Sequence, residues 1–366
     1  MRVLLTGARA PATLELARLA ARTGYEVHVA DTDRWHICRG SRLIAGCHTL
    51  PAPRGNHAAY GDAIRRLVGR FRVDVLVPTC EEVFHLAAMR EQVGARVACE
   101  PLTRLAPLHD KWQFVGACHA AAVPAPRTIL LTDSVTPAEL PAGEYILKRR
   151  FSRFATQVHF WRSGETMPHL EGQQSGAWIA QQYVAGGALC TWSVASHGRV
   201  LAHATYAVDE TAGQRGAAIA FHSVRHAAAR FWVETFIAHH KLSGQFAFDF
   251  VDGPLGLHGI ECNPRLTSGV HCFRSMPDVA RLLVESDSAP FGTALEPPAG
   301  LQFRSRLALA MYDKPHRAGA GLLEAEDDPW PQRLQGLAWA HLLVRALLAR
   351  TDPRLLSTRD IEWNGE

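Results

Sequence analysis

The sequence is poor in lysine, although it is not poor in positive charge. Only four of its 39 basic residues are lysine, at positions 111, 148, 241 and 314. The formal net charge is only +4, and no run of like charges marks a nucleic-acid or membrane surface. We therefore expect neither nucleic acid nor a membrane as a partner. Because arginine carries the general positive charge, a lysine is a candidate for a specific role, such as a compact point charge for a phosphate.

Three further absences narrow the class of protein. The eight cysteines are scattered without a Cys-x-x-Cys pair, which predicts reduced thiols and a cytoplasmic location. No apolar stretch approaches the roughly 20 residues that span a bilayer, and the opening MRVLLTG resembles a strand instead of a secretory leader. The turn after this strand lacks the Gly-x-Gly-x-x-Gly spacing of a dinucleotide site, which argues against a nicotinamide cofactor.

The first hundred residues alternate between strand-like and helix-like segments. The chain has 366 residues, 47% of them hydrophobic, which is enough for two or three packed modules. This alternation predicts an open parallel sheet flanked by helices, with ligands at the carboxyl ends of its strands. The strand-like segments are residues 2–6, 26–32 and 74–79.

Two glutamates follow the last of these strands. Glu81 and Glu82 lie at the ligand-binding edge of the predicted sheet and are candidates for recognising an amine substrate. The alternative is that they cap the helix that follows, where negative charge is favourable. The residues alone leave both interpretations open.

The middle of the chain has a different character. A helix is predicted from Asp110 to the prolines at 124 and 126, and the strands after it are shorter and typical of an antiparallel sheet. Beyond residue 290 we expect an extension with a strand over 301–312 and a helix over 332–350, which closes the active-site domain or forms a homodimer seam. The antiparallel strand-like segments are 128–131, 144–150, 155–161 and 177–184.

The segment FAFDFVDGPLGLHGIECNPR, residues 246–265, places two carboxylates in apolar surroundings. The period of two turns Asp249 away from the three phenylalanines, and it puts Glu261 and Asn263 on one face with Leu257 and Gly259. A hairpin about residue 254 or 255 brings Asp249 within about one pair of Glu261.

Two like charges at that distance repel each other. Either a cation lies between Asp249 and Glu261, or one carboxylate pairs with a nearby arginine such as Arg265. Two carboxylates and an amide oxygen are the ligands that Mg²⁺ prefers, with water and phosphates completing its shell. The hairpin is therefore a candidate magnesium site.

Taken together, these features resemble the ATP-grasp superfamily, in particular its stand-alone carboxylate–amine ligases. The resemblance covers about residues 1–290 and depends on a lysine ahead of a helix, a lysine at a strand end, the hinge QQYVAGG and the closing DF…ECNPR. It implies an α/β protein with four parts. These are a Rossmann-like pre-ATP-grasp domain (1–105), a small lid subdomain (106–185), a large subdomain with the magnesium site (186–290) and a C-terminal extension (291–366).

The resemblance also implies roles for individual residues. Asp249, Glu261 and Asn263 would hold one or two Mg²⁺, Lys111 and Lys148 would contact ATP phosphates, and Arg265 would face the transferred phosphoryl group and act with Lys148 in catalysis. The usual glycine-rich flap is replaced by RRFSRFAT, and Ala188 stands where many relatives have a glutamate for ribose. In the flap, Arg150, Ser152 and Arg153 would offer donors to phosphate. In the hinge, Gln181, Gln182, Tyr183 and Val184 would meet adenine.

The segment after ECNPR is implied to meet the carboxylate substrate. Its candidate residues are Thr267, Ser268, Gly269 and His271, and the alternative for His271 is a buried core histidine. The implied activity is amide formation from a small carboxylate and an amine, with ATP and Mg²⁺, through an acyl phosphate. Two other functions are a carbamoyl-phosphate or carboxylase-type reaction and a non-catalytic ATP-binding regulator.

Overall fold

The computed structural model describes residues 1–133, 140–152, 158–170, 175–213, 216–288 and 292–365, without the side chains of 354–355. These residues form one parallel sheet and two antiparallel sheets with helices between them. Within the described residues, no helix combines the length and the apolar character needed to cross a bilayer.

The first sheet is five-stranded and entirely parallel, which confirms the prediction from the alternating segments. Its strands are β1 Arg2–Thr6, β2 Glu26–Asp31, β3 Gly46–Thr49, β4 Val75–Val77 and β5 Arg96–Val97. Their spatial order is β3-β2-β1-β4-β5. The helices of this part are α1 Pro11–Arg22, α2 His57–Phe71, α3 Val83–Ala88 and α4 Leu102–His109. Helix α1 begins with proline at its first position, where the missing N–H costs nothing.

The second sheet is four-stranded and antiparallel, as predicted, and we call it the lid sheet. It is preceded by α5 Lys111–Ala120, whose N-cap is Asp110, since the Asp110 carboxylate accepts the backbone N–H of Trp112 at 3.0 Å. The strands are β6 Thr128–Leu131, β7 Glu144–Arg149, β8 Val158–Arg162 and β9 Trp178–Gln182. Their order is β6-β9-β7-β8.

The third sheet has seven strands in the order β14-β13-β10-β11-β12-β15-β16. Its strands are β10 Gly187–Ser196, β11 Arg199–Thr211, β12 Ala218–Val224, β13 Gly244–Gly253, β14 Gly256–Asn263, β15 Gln302–Arg304 and β16 Ala320–Gly321. Two helices of this part are α6 Ala227–His240 and α7 Asp278–Val284.

The C-terminal residues differ from the sequence prediction. The strand expected over 301–312 is wrong beyond residue 304, because Ser305 caps a helix there by accepting the N–H of Ala308. The remaining helices are α8 Arg306–Met311, α9 Trp330–Ala349 and α10 Pro353–Leu356. Strands β15 and β16 join the third sheet, so the C-terminal span contributes to that sheet. The four domain limits remain a proposal.

Packing of α6 determines which face of β13 is open. The rings of Phe246, Phe248 and Phe250 are at most 1% exposed and belong to one buried cluster, in which Phe248 and Phe250 pack edge-on against Trp232 of α6. Burial of such rings is among the largest apolar contributions that a side chain makes. The opposite face of β13 therefore carries Asp249 away from the core, as the alternation predicts.

Candidate functional site

A β-bulge in β14 places the two central carboxylates directly opposite each other. Phe250 pairs with Gly259 and Asp249 pairs with Glu261, so the register skips Ile260. The chain reverses between Gly253 and Gly256, in agreement with the predicted turn. The bulge also corrects the sequence prediction, because it moves Leu257 to the buried face with Cys262 while Glu261 faces the open side.

Asn263 joins the two carboxylates. Its amide nitrogen lies 3.3 Å from Asp249 Oδ2 and 3.4 Å from Glu261 Oε1, so one amide donates to both acids. Among the residues that the structure describes, no three His, Cys, Asp or Glu side chains converge on a possible metal position. Any cation held here therefore depends on Asn263 as the third protein ligand.

Two lysines lie at the edge of this cluster. Lys111 Nζ is 3.5 Å from Glu261 Oε2 and donates to the carbonyl of Ser152 at 3.1 Å. Lys148 Nζ donates to the carbonyl of Ile260 at 3.2 Å, a group that the bulge leaves outside the regular strand ladder. Both lysines are about 95% buried, although lysine is rarely buried without a partner. The structure thus brings together the two lysines that the sequence predicts as phosphate contacts.

The electrostatics of the cluster are those of an acid pair next to cations. Burial and the neighbouring Glu261 raise the pKa of Asp249. Burial alone would raise the pKa of Glu261 as well, but Lys111 and Lys148 outweigh burial and lower it. Burial lowers the pKa of Lys148 to about 8 despite the nearby carboxylates.

Arg265 does not pair with either central carboxylate. Its Nε donates to Glu81 Oε1 at 3.0 Å, and its Nη2 lies 3.3 Å from Asn263 Oδ1. Glu81 is buried and also lies 3.8 Å from His109. The sequence alternative in which Arg265 neutralises Asp249 or Glu261 is therefore wrong. Instead, Arg265 connects the hairpin to the carboxyl end of β4.

Glu82 has a bonding pattern that joins the ends of two strands. Its Oε1 accepts from the Thr6 hydroxyl at 2.6 Å and from the backbone N–H groups of Thr79 and Cys80. Glu82 is the N-cap residue of α3, although its side chain makes no capping hydrogen bond to that helix. These contacts favour a structural role, and substrate contact by Glu82 stays a prediction.

Contacts at the base of the flap hold Arg150 and Ser152 in place. Arg150 Nε donates to both oxygens of Asp110, at 3.0 and 3.2 Å, and Nη1 donates to the carbonyl of Gly176 at 3.1 Å. The Ser152 carbonyl accepts Lys111, while its hydroxyl is 3.4 Å from the Arg149 carbonyl. The Arg150 guanidinium therefore binds Asp110 and the Gly176 carbonyl within the protein. Arg153 lies outside the described residues.

The hinge residues lie on β9 and just beyond it. Gln181 is buried and donates to the Thr128 hydroxyl at 3.2 Å, whereas Gln182 is exposed. Tyr183 is 41% exposed and meets Phe160 edge-on at 5.5 Å. Val184 is partly buried just beyond β9. Ala188, at the start of β10, is exposed and provides no carboxylate.

The segment after the hairpin divides into partly exposed and buried residues. Thr267 and Ser268 are partly buried, and Gly269 packs so tightly that an added Cβ would lie 2.5 Å from Trp192 Cβ. His271 is only 1% exposed, and its Nδ1 lies 2.8 Å from Glu15 Oε2 on α1. This geometry favours the alternative of a core histidine and corrects the predicted substrate role of His271.

Comparison with known proteins gives matches in structure but not in sequence. No protein-family model matches the chain, and no curated protein matches its sequence. The N5-carboxyaminoimidazole synthetase of Staphylococcus aureus, complexed with ADP, matches with a TM-score of 0.63 at 15% identity, over 82% of this chain and 80% of that chain. The biotin carboxylase domain of Hydrogenobacter thermophilus 2-oxoglutarate carboxylase, with MgADP and bicarbonate, matches with 0.61 at 12%, over 80% and 71%. The L-amino acid ligase of Bacillus licheniformis matches with 0.56 at 13%, over 78% and 70%.

All three neighbours are ATP-grasp enzymes. The chain has an ATP-grasp fold. At these identities the comparison establishes the fold and leaves the reaction open. The ATP-grasp fold nonetheless explains why a lid sheet and a large sheet meet at the lysine and carboxylate cluster, since Lys148 comes from β7 and its acceptor from β14.

A surface cleft of about 620 Å³ lies elsewhere in the chain. Its lining includes Arg22, Arg274, Glu324 and Asp327 and contains none of the predicted site residues. The sequence did not predict a role for Ile260, whose carbonyl accepts a hydrogen bond from Lys148. No residue pattern in the segment indicated the bulge.

Proposed function

We propose that the chain is an ATP- and Mg²⁺-dependent ligase that joins a small carboxylate to an amine and releases ADP. The observation that carries this proposal is the cluster of Asp249, Glu261 and Asn263 with two buried lysines at its edge. Transfer of a phosphoryl group needs positioned cations more than it needs a nucleophile. The two lysines supply such cations, and the two carboxylates and the amide offer ligands for Mg²⁺.

The donor set fits Mg²⁺. Two carboxylates on paired strands and an amide offer the oxygen ligands that this ion prefers, with positions left for water and phosphate. The pKa of Asp249, raised by burial and by the neighbouring Glu261, fits as well, because a divalent cation would offset both effects. The Asn263 nitrogen faces the acids here, so the amide would have to turn over to present its oxygen.

The protein's own groups have distinct roles in this proposal. Lys111 and Lys148 would bind phosphate oxygens of ATP, and Asp249, Glu261 and Asn263 would hold Mg²⁺, which neutralises charge on the phosphates. Arg265, held by Glu81, would orient the transferred phosphoryl group. The substrate carboxylate attacks the γ-phosphate and ADP leaves. The amine then displaces phosphate from the acyl phosphate, losing a proton as the amide forms.

A carboxylase-type reaction is the second candidate. It is supported by the neighbours, because a synthetase of a carboxyamino product and a biotin carboxylase domain with bicarbonate match at higher TM-scores than the amino acid ligase does. In that reaction bicarbonate would replace the organic carboxylate as the group that is phosphorylated.

ADP release distinguishes these functions. Purified chain is incubated with Mg²⁺, ATP and a panel of carboxylates, including bicarbonate and amino acids, with and without amines. Release that requires both a carboxylate and an amine supports the ligase, and release with bicarbonate supports the carboxylase. ATP binding without any ADP across the panel would contradict both and support a regulator.

Two substitutions test the site with a matched control. Asp249→Asn and Glu261→Gln should lower ADP release at least a hundredfold, because each removes a charged metal ligand. Asp252→Asn is the control, since Asp252 lies on the same strand and contacts His226 at 3.1 Å instead of the cluster. Equal loss in all three variants would indicate a general structural effect and count against the proposed site.

A further inference from the structure

The C-terminal segment 357–365, which we call the tail, lies in the crevice at the carboxyl ends of β1 and β2. Ile361 of the tail is 3% exposed and lines this crevice together with Gly7, Asp31 and Thr32. The space that remains there is about 10 Å³, which is at the lower limit for a single water molecule. The tail therefore fills the edge where open parallel sheets bind their ligands.

Arg9 is bound by Asp31 at the end of β2 as well as by the tail. Its backbone N–H donates to Asp31 Oδ2 at 2.9 Å, and its Nε donates to Asp31 Oδ1 at 3.0 Å. The Asp31 side chain is 1% exposed with the tail in place. Arg9 Nη2 also donates to Asp31 Oδ1, and Nη1 donates to the Ser357 carbonyl of the tail at 2.7 Å.

Asp360 of the tail binds this guanidinium in a two-pronged arrangement. Arg9 Nη1 and Nη2 lie 2.8 Å from Asp360 Oδ1 and Oδ2, and the hydroxyl of Thr32 donates to the same carboxylate. Such a fork is the usual geometry by which arginine recognises a free carboxylate. The body therefore offers a built carboxylate receptor, and the tail occupies it.

A second anchor lies farther along the tail. Trp363 is 7% exposed and stacks on Phe84 at 5.0 Å, with Phe151 edge-on at 5.6 Å. Phe151 precedes Ser152, whose carbonyl accepts Lys111 of the candidate site. The tail thus contacts both the first sheet and the flap next to the phosphate-binding lysines.

We propose that this crevice is a binding site for a ligand that carries a carboxylate and an apolar or aromatic group, and that the tail occupies it as an internal competitor. Arg9 and Thr32 recognise the carboxylate, and the surface around Phe84 and Phe151 receives the apolar group. A ligand must displace the tail, so its apparent affinity is reduced by the fraction of chains in which the tail is released. This inference goes beyond the proposed function, because it concerns binding at the first sheet and does not require turnover.

The test uses the tail sequence as the probe. A fluorescein-labelled peptide Ser-Thr-Arg-Asp-Ile-Glu-Trp-Asn-Gly is titrated into full-length wild type and into the double variant Asp360→Asn, Trp363→Ala, and binding is followed by anisotropy. The double variant should bind it at least tenfold tighter, because its own tail competes less well. Asn364→Ala, an exposed position on the tail, is the control and should match wild type.

Two matched changes test the carboxylate contact. A peptide with asparagine in place of its aspartate should bind the double variant at least tenfold more weakly, as should the original peptide when Arg9→Gln is added to the double variant, since each loses a charge-assisted hydrogen-bonded pair. Equal binding of the two peptides, or binding that is unchanged by Arg9→Gln, would overturn the assignment of a carboxylate site.

Amide hydrogen exchange measures release of the tail directly. If the double variant does not fold, Asp360→Asn alone is used, which keeps the Trp363 anchor. It should increase amide exchange over residues 357–363 in the full-length chain. Amide exchange in Asp360→Asn equal to that of wild type would show that the tail is a fixed part of the fold and would overturn the proposal. The same conclusion would follow if a folded double variant did not bind the peptide.

Discussion

Lys148 is the residue whose environment has the clearest functional consequence. It is buried, it donates to the bulged carbonyl of Ile260, and burial lowers its pKa to about 8. It is therefore charged at neutral pH and becomes neutral in mildly alkaline solution. In the proposed site a charged Lys148 attracts the phosphates of ATP, so nucleotide binding and proton binding at this lysine favour each other.

This coupling predicts a pH dependence of ATP affinity. Below about pH 8 the free lysine is already protonated and the affinity is constant. As pH rises through 8, binding must first restore the proton, so affinity falls, by up to about tenfold per pH unit until the pKa of the complex is reached. Calorimetric titration with Mg²⁺-ATP between pH 6.5 and 9.5 measures this decline.

The substitution Lys148→Arg distinguishes the effect of Lys148 titration on ATP affinity from the effect of other titrating groups. Arginine stays charged throughout this range, so the variant should lose the alkaline decline even if its affinity at pH 7 is lower. Lys314→Arg is the matched control, since Lys314 lies 3.7 Å from Glu210 and outside the site. The same decline in wild type and in Lys148→Arg would contradict the assignment.

Individual site residues were predictable where local pattern determines their position. Alternation along β13 placed Asp249 on the open face, and the scarcity of lysine singled out Lys111 and Lys148. The bulge at Ile260 was not predictable, because the pairing of β14 with β13 decides it. His271 was assigned to the substrate, but it contacts Glu15, which is 256 positions away in sequence. The hydrophobic periodicity of a strand or a helix carries no information about a contact partner so distant in sequence.

The connection between α5 and the lid sheet depends on one acid. Asp110 caps α5 through the backbone of Trp112 and also accepts the guanidinium of Arg150 at the end of β7. The Asp110 side chain is fully buried and that of Arg150 is 27% exposed. This ion pair therefore fixes the base of the flap, next to the point where Ser152 accepts Lys111.

Asp110→Asn should loosen this connection. The variant keeps an N-cap but leaves Arg150 without its anionic partner, which should lower the free energy of unfolding by roughly 2 kcal/mol. Amide exchange over residues 144–152 should increase, and ATP should bind more weakly. Glu144→Gln is the control, because it removes an exposed ion pair between Glu144 on β7 and Arg162 on β8 and should cost at most about 0.5 kcal/mol. Unchanged exchange over 144–152 in Asp110→Asn would contradict this role.

The long strands and the longer helices followed from sequence pattern, whereas several short elements did not. Strands β3 and β5 have four and two residues and lack an apolar run, so neighbouring strands create them. The segment 301–312 combines a short strand with α8, and a capping serine at their boundary separates the two. The sequence there is compatible with either element, and pairing of Gln302–Arg304 with β12 decides where the strand ends.

Long-range ion pairs attach the C-terminal span to the first sheet. Arg18 on α1 is buried and binds Asp328 at 2.9 Å, while Arg9 binds Asp360. These partners are separated by more than 300 positions in sequence. The sequence left the final ten residues without an assigned role, because nothing local indicates that they return to β1. In the folded chain, residues 357–365 lie at the carboxyl ends of β1 and β2.

Helix α9 has an apolar surface that no described part of the chain covers. Leu337 is 63% exposed, Val344 is 55%, and Leu347 and Leu348 are 78% and 81%. At 100° per residue these side chains lie on one side of the helix. A continuous apolar strip of this kind marks an association surface more often than solvent-facing structure. We therefore favour the homodimer seam over closure of the active-site domain for this helix.

Self-association through α9 is tested by adding charge to the strip. Wild type should sediment as a dimer at micromolar concentration, and the double variant Leu347→Glu, Leu348→Glu should sediment as a monomer with an unchanged thermal transition, because two buried charges without partners oppose association. Ala349→Glu adds the same charge to the next residue but on another side of the helix, so it should remain dimeric. A monomeric wild type, or loss of the dimer in all variants alike, would show that this strip is not the seam. Sedimentation velocity over a range of concentrations distinguishes these results.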